Sequence, residues 1–190
     1  MNGPDNVADI LDRKDTDNED PLRRHHALLH QGWTGEALEF SPDQQQLMIG
    51  FRSPLDAGMA LIAIVRNPAE MFERGTAPEL SPELIRFDLG GHGLRGMSWI
   101  PSLRSYLLVS GPVAKEQTQF RLWFWNGQAG TQPQRVEVDG LEGFEHTEGI
   151  TPAIIAGQPR IVIVSDDGSR EEGLPARFML LAPEQIRIAP

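Results

Sequence analysis

Apolar residues from residue 36 onward fall in short runs that Gly, Pro, Asn and Asp separate. Runs of this length that are rich in Val, Ile, Leu, Phe and Trp indicate β-strands. The pattern predicts three sets of four strands: 36–40, 46–51, 59–66 and 83–88; 95–100, 104–111, 118–126 and 134–139; 148–152, 160–165, 175–181 and 185–189. The helix candidate is 68–75 (PAEMFERG), because Pro at a first turn and Gly at the end suit one or two helical turns. The chain is therefore predicted to be all-β.

Each set of strands begins in the same way, with a charged, a small and an aliphatic residue. These starts are Glu36-Ala37-Leu38, Arg95-Gly96-Met97 and Glu148-Gly149-Ile150. A turn-prone segment with Pro follows, and then an apolar strand that ends in a small residue. The strand ends align as Ile49-Gly50, Val109-Ser110 and Val164-Ser165.

Repeated units of four antiparallel strands at this spacing indicate β-propeller blades, with a sandwich or another all-β fold as the alternative. The blades are expected near 36–88, 95–139 and 148–189. Three blades make an incomplete ring, since known propellers have about 4–8. The open ends would expose apolar blade faces. We therefore expect a homodimer, or a partner chain that carries the missing half-propeller.

Composition changes at the amino end and limits the possible partners. Residues 1–30 carry few apolar side chains and are predicted to be disordered or loosely attached, so that 31–190 form the partial propeller domain. The net charge of -10 argues against binding to nucleic acid or to an anionic membrane surface. The absence of cysteine excludes disulfides and thiol catalysis. No signal peptide or membrane-length apolar run is evident, so a soluble cytoplasmic protein is predicted.

Four stretches of the chain carry a family resemblance when taken together. They are LMIGFRSPL (47–55), FDLGGHGLRGM (87–97), YLLVSGP (106–112), and EGITP with IVIVSDDG (within 148–168). The chain resembles the family of the domain of unknown function 3616. The resemblance implies a β-propeller that is distantly similar to phytase-like and esterase-like propellers, and it implies a partial copy of such a domain. The family brings no established activity or catalytic residues.

The charged starts of the three repeats are the leading site candidates. If the repeats are blades, Glu36, Arg95 and Glu148 open the innermost strands and point toward a central channel, where Arg52 either joins them or bonds a neighbouring loop carbonyl. Charged groups brought together in this way have perturbed pKa values and form a ligand-binding site. The alternative is a structural ring of ion pairs around a water-filled channel.

Two further motifs have both a chemical and a structural interpretation. Asp166 and Asp167 cap a strand in a turn, or bind calcium or magnesium alone or with Glu148. The segment 91–96 (GHGLRG) matches a dinucleotide-binding fingerprint literally, but a strand follows it where that fingerprint needs a helix. It is therefore predicted to be a crossover in which bare backbone passes close to its neighbours.

No nucleophile elbow or catalytic triad is recognisable, so the sequence leaves open whether the protein is an enzyme. The sequence favours a module that binds a small molecule or a protein. The first alternative is a calcium-assisted hydrolase of phosphate or other esters, as the distant phytase resemblance suggests. The second is a truncated gene product without independent function.

Overall fold

The computed structural model describes residues 34–113, 120–140, 146–166 and 168–189, and β-strands dominate these residues. The strands are β1 (Thr34–Phe40), β2 (Leu47–Ser53), β3 (Ala60–Val65), β4 (Ile85–Phe87), β5 (Gly93–Ile100), β6 (Ser105–Gly111), β7 (Arg121–Trp125), β8 (Gln134–Glu137), β9 (Thr147–Ile155), β10 (Gln158–Ser165), β11 (Phe178–Leu181) and β12 (Arg187–Ile188). The all-β prediction is confirmed, and each strand overlaps a predicted one. The segment 1–30 lies outside the described residues.

The strands form three antiparallel sheets. Sheet 1 has the order β1-β2-β3-β4, sheet 2 has β12-β8-β7-β6-β5, and sheet 3 has β11-β10-β9. The last strand departs from the prediction, because β12 pairs with β8 of sheet 2 instead of completing sheet 3. The assignment of 185–189 to the third four-stranded unit is therefore wrong. An apolar pattern marks a strand but does not choose its partner, and here Ile186 packs into the core between sheets 2 and 3.

The predicted helix is present as α1 (Pro68–Arg74), within the connection between β3 and β4. Proline stands in its first turn, and Gly75 ends it with φ of 66°, a left-handed conformation that glycine adopts at low cost. Asn67 closes the loop, since its side chain accepts from the Glu79 N–H at 2.7 Å and donates to the Ala77 carbonyl at 3.0 Å. Neither α1 nor the 3-10 turn at Pro183–Gln185 is long enough to cross a membrane, and no other helix of the described residues is.

Two apolar cores hold the sheets together in chain order. Core 1 lies between sheets 1 and 2 and includes Met48 and Ile62 from sheet 1 with Leu108 and Trp123 from sheet 2. Core 2 lies between sheets 2 and 3: Leu107, Val109 and Leu122 from sheet 2, with Ile161 and Ile163 from sheet 3. Sheet 2 is thus buried on both faces. Alternate residues of a strand point to opposite faces, which places neighbouring residues of β6 in different cores.

Candidate functional site

Each of the three first strands, β1, β5 and β9, carries a β-bulge at the same point. The residue left without a partner across the strand pair is Glu36 in β1, Arg95 in β5 and Glu148 in β9. The flanking residues keep their partners: Gly35 with Phe51 and Ala37 with Gly50; Leu94 with Ser110 and Gly96 with Val109; Thr147 with Ser165 and Gly149 with Val164. A bulge redirects the side chain that it leaves unpaired. The three charged starts are therefore equivalent in structure.

The bulges also correct the alignment of the second strands. The small residue after each bulge faces Gly50, Val109 or Val164, so Gly50 is the counterpart of the two valines. The predicted alignment of Ile49 with them was wrong by one residue. A side chain is excluded at Gly50 because a Cβ there would lie 2.9 Å from both Ala37 Cβ and Leu94 Cδ1. The missing side chain hid the correct phase of the apolar pattern.

The bulged residues meet because β5 lies against both β1 and β9. Arg95 is central: its Nη1 lies 3.1 Å from Glu36 Oε2 and 3.3 Å from Glu148 Oε1. On the other side, Arg52 of β2 places its Nη1 3.2 Å from Glu36 Oε1. The four candidate ligand-binding residues thus form one continuous chain of ion pairs, Arg52–Glu36–Arg95–Glu148, which we call the ion cluster.

The segment after β6 completes the surroundings of both guanidinium groups. Arg95 Nη2 donates to the Pro112 carbonyl at 3.3 Å, and Arg52 Nη2 donates to the Val113 carbonyl at 3.2 Å. The Phe120 ring lies beneath Arg95, with 5.5 Å between its centroid and Arg95 Cζ. Sequence analysis left open a loop carbonyl as a partner of Arg52, but it missed the Pro112 carbonyl and Phe120. Backbone carbonyls leave no signature in a sequence, and Phe120 was assigned to an ordinary strand.

Burial varies along the ion cluster. The exposed fraction of the side chain is 10% for Arg95, 20% for Glu36 and for Arg52, and 39% for Glu148. Among the described residues, Arg95 Nε and Glu36 Oε2 are buried without a hydrogen bond, although Glu36 Oε2 remains in ion-pair contact with Arg95. The cluster therefore opens to solvent at Glu148 and contains unsatisfied hydrogen-bonding groups in its interior.

The carboxyl of Glu148 has an altered acidity. Burial raises its pKa, the charge of Arg95 opposes that rise, and the negative charges of Glu36 and Asp166 add to it. Asp166 itself is exposed, and its backbone N–H donates to the His146 carbonyl at 2.9 Å. The protein environment thus favours the protonated form of Glu148, which lies at the mouth of the ion cluster, the end that opens to solvent.

Only one of the two predicted metal ligands lies among the described residues. Asp166 is described, whereas Asp167 lies outside the described residues. Across 34–113, 120–140, 146–166 and 168–189, no three His, Asp or Glu side chains are grouped so that they could hold a metal ion. Asp166 and Glu148 are close enough for their charges to interact.

The segment 91–96 enters a strand, as predicted, because β5 begins at Gly93. A Cβ at Gly93 would overlap the Arg52 carbonyl and lie 2.6 Å from Arg52 Cα, so the backbone of β5 passes directly against β2. The close approach brings Arg52 to the ion cluster. The prediction of a crossover with close backbone contact is confirmed, and the motif does not open a helix.

A second buried polar group also escaped sequence analysis. Trp123 Nε1 donates to Ser110 Oγ at 2.8 Å, and that oxygen lies 3.4 Å from His92 Nδ1. Burial lowers the pKa of His92, and the charge of Arg121 lowers it further. Ser110 is fully buried, so this arrangement satisfies polar atoms between sheets and does not present a nucleophile.

A scan against protein-family models matched none, and a search of curated proteins found no match.

Proposed function

We propose that this chain is a partial β-propeller of three blades and that its ion cluster binds a cationic group on a small ligand or a partner loop. Three observations support the architecture. The sheets pack in chain order, their first strands are neighbours, and each first strand has its bulge at the same position. Propellers stack four-stranded sheets radially in this order.

The ion cluster and the neighbouring Asp166 together have a charge balance that favours a cation. Glu36, Glu148 and Asp166 supply three negative charges, against two positive charges from Arg52 and Arg95. The Nη atoms of both arginines already contact carboxylates or backbone carbonyls. The exposed groups at the mouth are carboxylates, and carboxylates accept hydrogen bonds from ammonium and guanidinium groups.

The observation that carries the proposal is the unsatisfied state of a buried charged cluster. Glu36 Oε2, a buried acceptor, has no hydrogen bond among the described residues, and burial raises the pKa of Glu148. A buried acceptor without a hydrogen bond costs about 1–3 kcal/mol, and carboxyl groups with shifted pKa values concentrate at functional sites. A purely structural ring of ion pairs has no need for either feature.

The experiment follows the Arg95 Nε–H signal by NMR and the melting temperature while methylammonium, guanidinium, calcium or acetate is added. We expect the two organic cations to shift the signal and to raise the melting temperature, while acetate does neither. A ligand present at 100 times its Kd adds about 2.7 kcal/mol to the free energy of unfolding.

Matched variants locate the effect. Glu148→Gln should abolish the response to methylammonium, whereas Glu83→Gln, on an exposed loop residue, should preserve it. Absence of any shift would favour the structural ring of ion pairs. A response to calcium alone that Asp166→Asn removes would favour the metal-assisted hydrolase instead.

A further inference from the structure

The rest of the described residues leave one apolar face of sheet 3 uncovered. On this face Val164 pairs across the strands with Phe178, and Val162 pairs with Leu180. Val164, Phe178 and Leu180 are 42%, 66% and 44% exposed. Ile161 and Ile163, on the opposite face of the same sheet, are fully buried in core 2. We call the face of sheet 3 that carries Val164 its forward face, and the opposite face its rear face. The same names apply to the equivalent faces of sheets 1 and 2.

The forward faces of the other two sheets are interfaces. The pairs equivalent to Val164–Phe178 and Val162–Leu180 follow from the bulge alignment: Val109–Leu122 and Leu107–Phe124 in sheet 2; Gly50–Ile62 and Met48–Ile64 in sheet 1. Val109 and Leu122 are 2% and 1% exposed, because the rear face of sheet 3 covers them. The forward face of sheet 1 is covered by the rear face of sheet 2 in the same way. Within one chain, forward-on-rear packing therefore occurs twice.

The rear face of sheet 1 is the complementary surface at the other end of the chain. Leu38 is 63% exposed there, whereas its equivalents Met97 and Ile150 are 5% and 8% exposed. Ile49 is half-buried, and its equivalents Leu108 and Ile163 are fully buried. Leu84 of the β3–β4 connection covers Leu61 and Ala63 of β3 on this face, so the more exposed part lies on β1 and β2.

We infer that the forward face of sheet 3 docks on the rear face of sheet 1 of a second copy of this chain. The argument is continuity: the contact repeats an interface that the chain already forms twice, with the same kinds of residue at equivalent positions. Two copies joined head to tail at both ends close a ring of six sheets, a number that propellers adopt. The closure rests on the proposed propeller architecture and not on ligand binding at the ion cluster.

The test measures molecular mass in solution by sedimentation equilibrium or light scattering over a range of protein concentration and salt. The expected species has twice the 21.1 kDa of one chain. Each copy carries a net charge of -10, so association should tighten when salt screens the repulsion. A monomer under all conditions would overturn the inference.

Single charges on the two faces identify the contact. Phe178→Asp on the forward face and Leu38→Asp on the rear face should each reduce the mass to that of a monomer. Ile154→Asp, which puts the same charge on a 73% exposed residue at the end of the β9–β10 hairpin, should leave the dimer intact. Circular dichroism confirms that each variant is folded.

Mixing the two variants separates head-to-tail docking from self-pairing of one face. In a pure variant, both contacts of the ring carry the introduced charge. In the mixture one contact is intact, between the forward face of Leu38→Asp and the rear face of Phe178→Asp. Recovery of dimer mass in the mixture supports the inference. A Leu38→Asp chain that still dimerises would overturn it, because forward faces would then pair with each other. The mass measurements are made without methylammonium, so a failure of dimerisation and a failure of ligand binding are distinguishable.

Discussion

Replacing Glu36 by Gln should destabilise the fold more than any other removal of a carboxylate from the ion cluster. Glu36 contacts two guanidinium groups, Arg52 at 3.2 Å and Arg95 at 3.1 Å, and its side chain is only 20% exposed. Among the described residues the ion-pair partner of Glu148 is Arg95, at 3.3 Å, and Glu148 is 39% exposed. Glutamine keeps the size of the side chain, so the substitution tests the charge and not the packing.

The magnitude follows from the burial of each group. Breaking a fully buried ion pair costs about 3–5 kcal/mol, whereas an exposed pair contributes about 0.2–1 kcal/mol. Glu36 lies between these limits, and Arg95 keeps Glu148 and the Pro112 carbonyl after the substitution. We expect Glu36→Gln to cost about 2 kcal/mol and Glu148→Gln to cost less than about 1 kcal/mol. For a chain of this size, about 2 kcal/mol lowers the melting temperature by roughly 4–8 °C.

Urea unfolding at neutral pH, followed by tryptophan fluorescence and circular dichroism, measures these differences. The slope of the free energy with urea must agree between variants for the comparison to hold. Glu83→Gln supplies the exposed control and should stay within about 0.5 kcal/mol of the original chain. If Glu148→Gln costs as much as Glu36→Gln, the assignment of Arg95 and Arg52 to a shared Glu36 carboxylate is refuted.

Three further outcomes follow from the same contacts. Because the pKa of Glu148 is raised, the folded state binds its proton more tightly than the unfolded chain does. The stabilising contribution of this group is therefore lost as the pH rises through the folded-state pKa. Between about pH 4 and pH 7, the urea midpoint of the original chain should fall relative to that of Glu148→Gln. The lowered pKa of His92 has the opposite effect: stability should fall as the pH drops below 6.5, the ordinary pKa of histidine. His92→Gln should reduce that fall in the same urea titrations. Gly93→Ala should cost at least about 3 kcal/mol in urea unfolding because its Cβ meets the backbone of Arg52, whereas Gly96→Ala, with its nearest neighbours at 3.7 Å, should change stability by less than about 1 kcal/mol; equal costs would contradict the close crossover.

The strand positions could be predicted because apolar runs and turn residues report directly on extended backbone. The repeat also placed Glu36, Arg95 and Glu148 at matching points of the chain, and the structure brings them together with Arg52. The phase of the repeat at Ile49 was wrong because a glycine and a bulge shift the apolar alternation by one residue. A bulge depends on the partner strand, and a single strand's sequence does not contain that information.

Which backbone carbonyls bind the guanidinium groups was unpredictable for a different reason. Every residue has a backbone carbonyl, whatever its side chain. Only the path of the chain after β6 therefore decides that the carbonyls of Pro112 and Val113 face Arg95 and Arg52. The pairing of β12 with β8 is likewise a consequence of packing, since the apolar pattern of 185–189 is satisfied beside either sheet. The apolar pattern of the sequence thus determined the strands, whereas long-range contacts determined how the strands pair and which groups bind the two arginines.

The charge order in the ion cluster connects the two proposals. Within one chain the sign alternates from sheet to sheet, so that Arg95 of sheet 2 separates Glu36 of sheet 1 from Glu148 of sheet 3. In a head-to-tail ring of two copies, Glu148 of one copy is followed by Glu36 of the next, so two carboxylates occupy successive bulge positions, while Arg52 stays bound to Glu36 and to the Val113 carbonyl of its own chain. Neighbouring carboxylates repel, which opposes ring closure unless one is protonated or a cation lies between them. The raised pKa of Glu148 already favours the first solution, and a bound ammonium group supplies the second. Glu148→Gln should therefore tighten the dimer in sedimentation equilibrium, and methylammonium should tighten it only when Glu148 is present. A dimer that Glu148→Gln weakens would show that the two cluster ends do not meet across the interface.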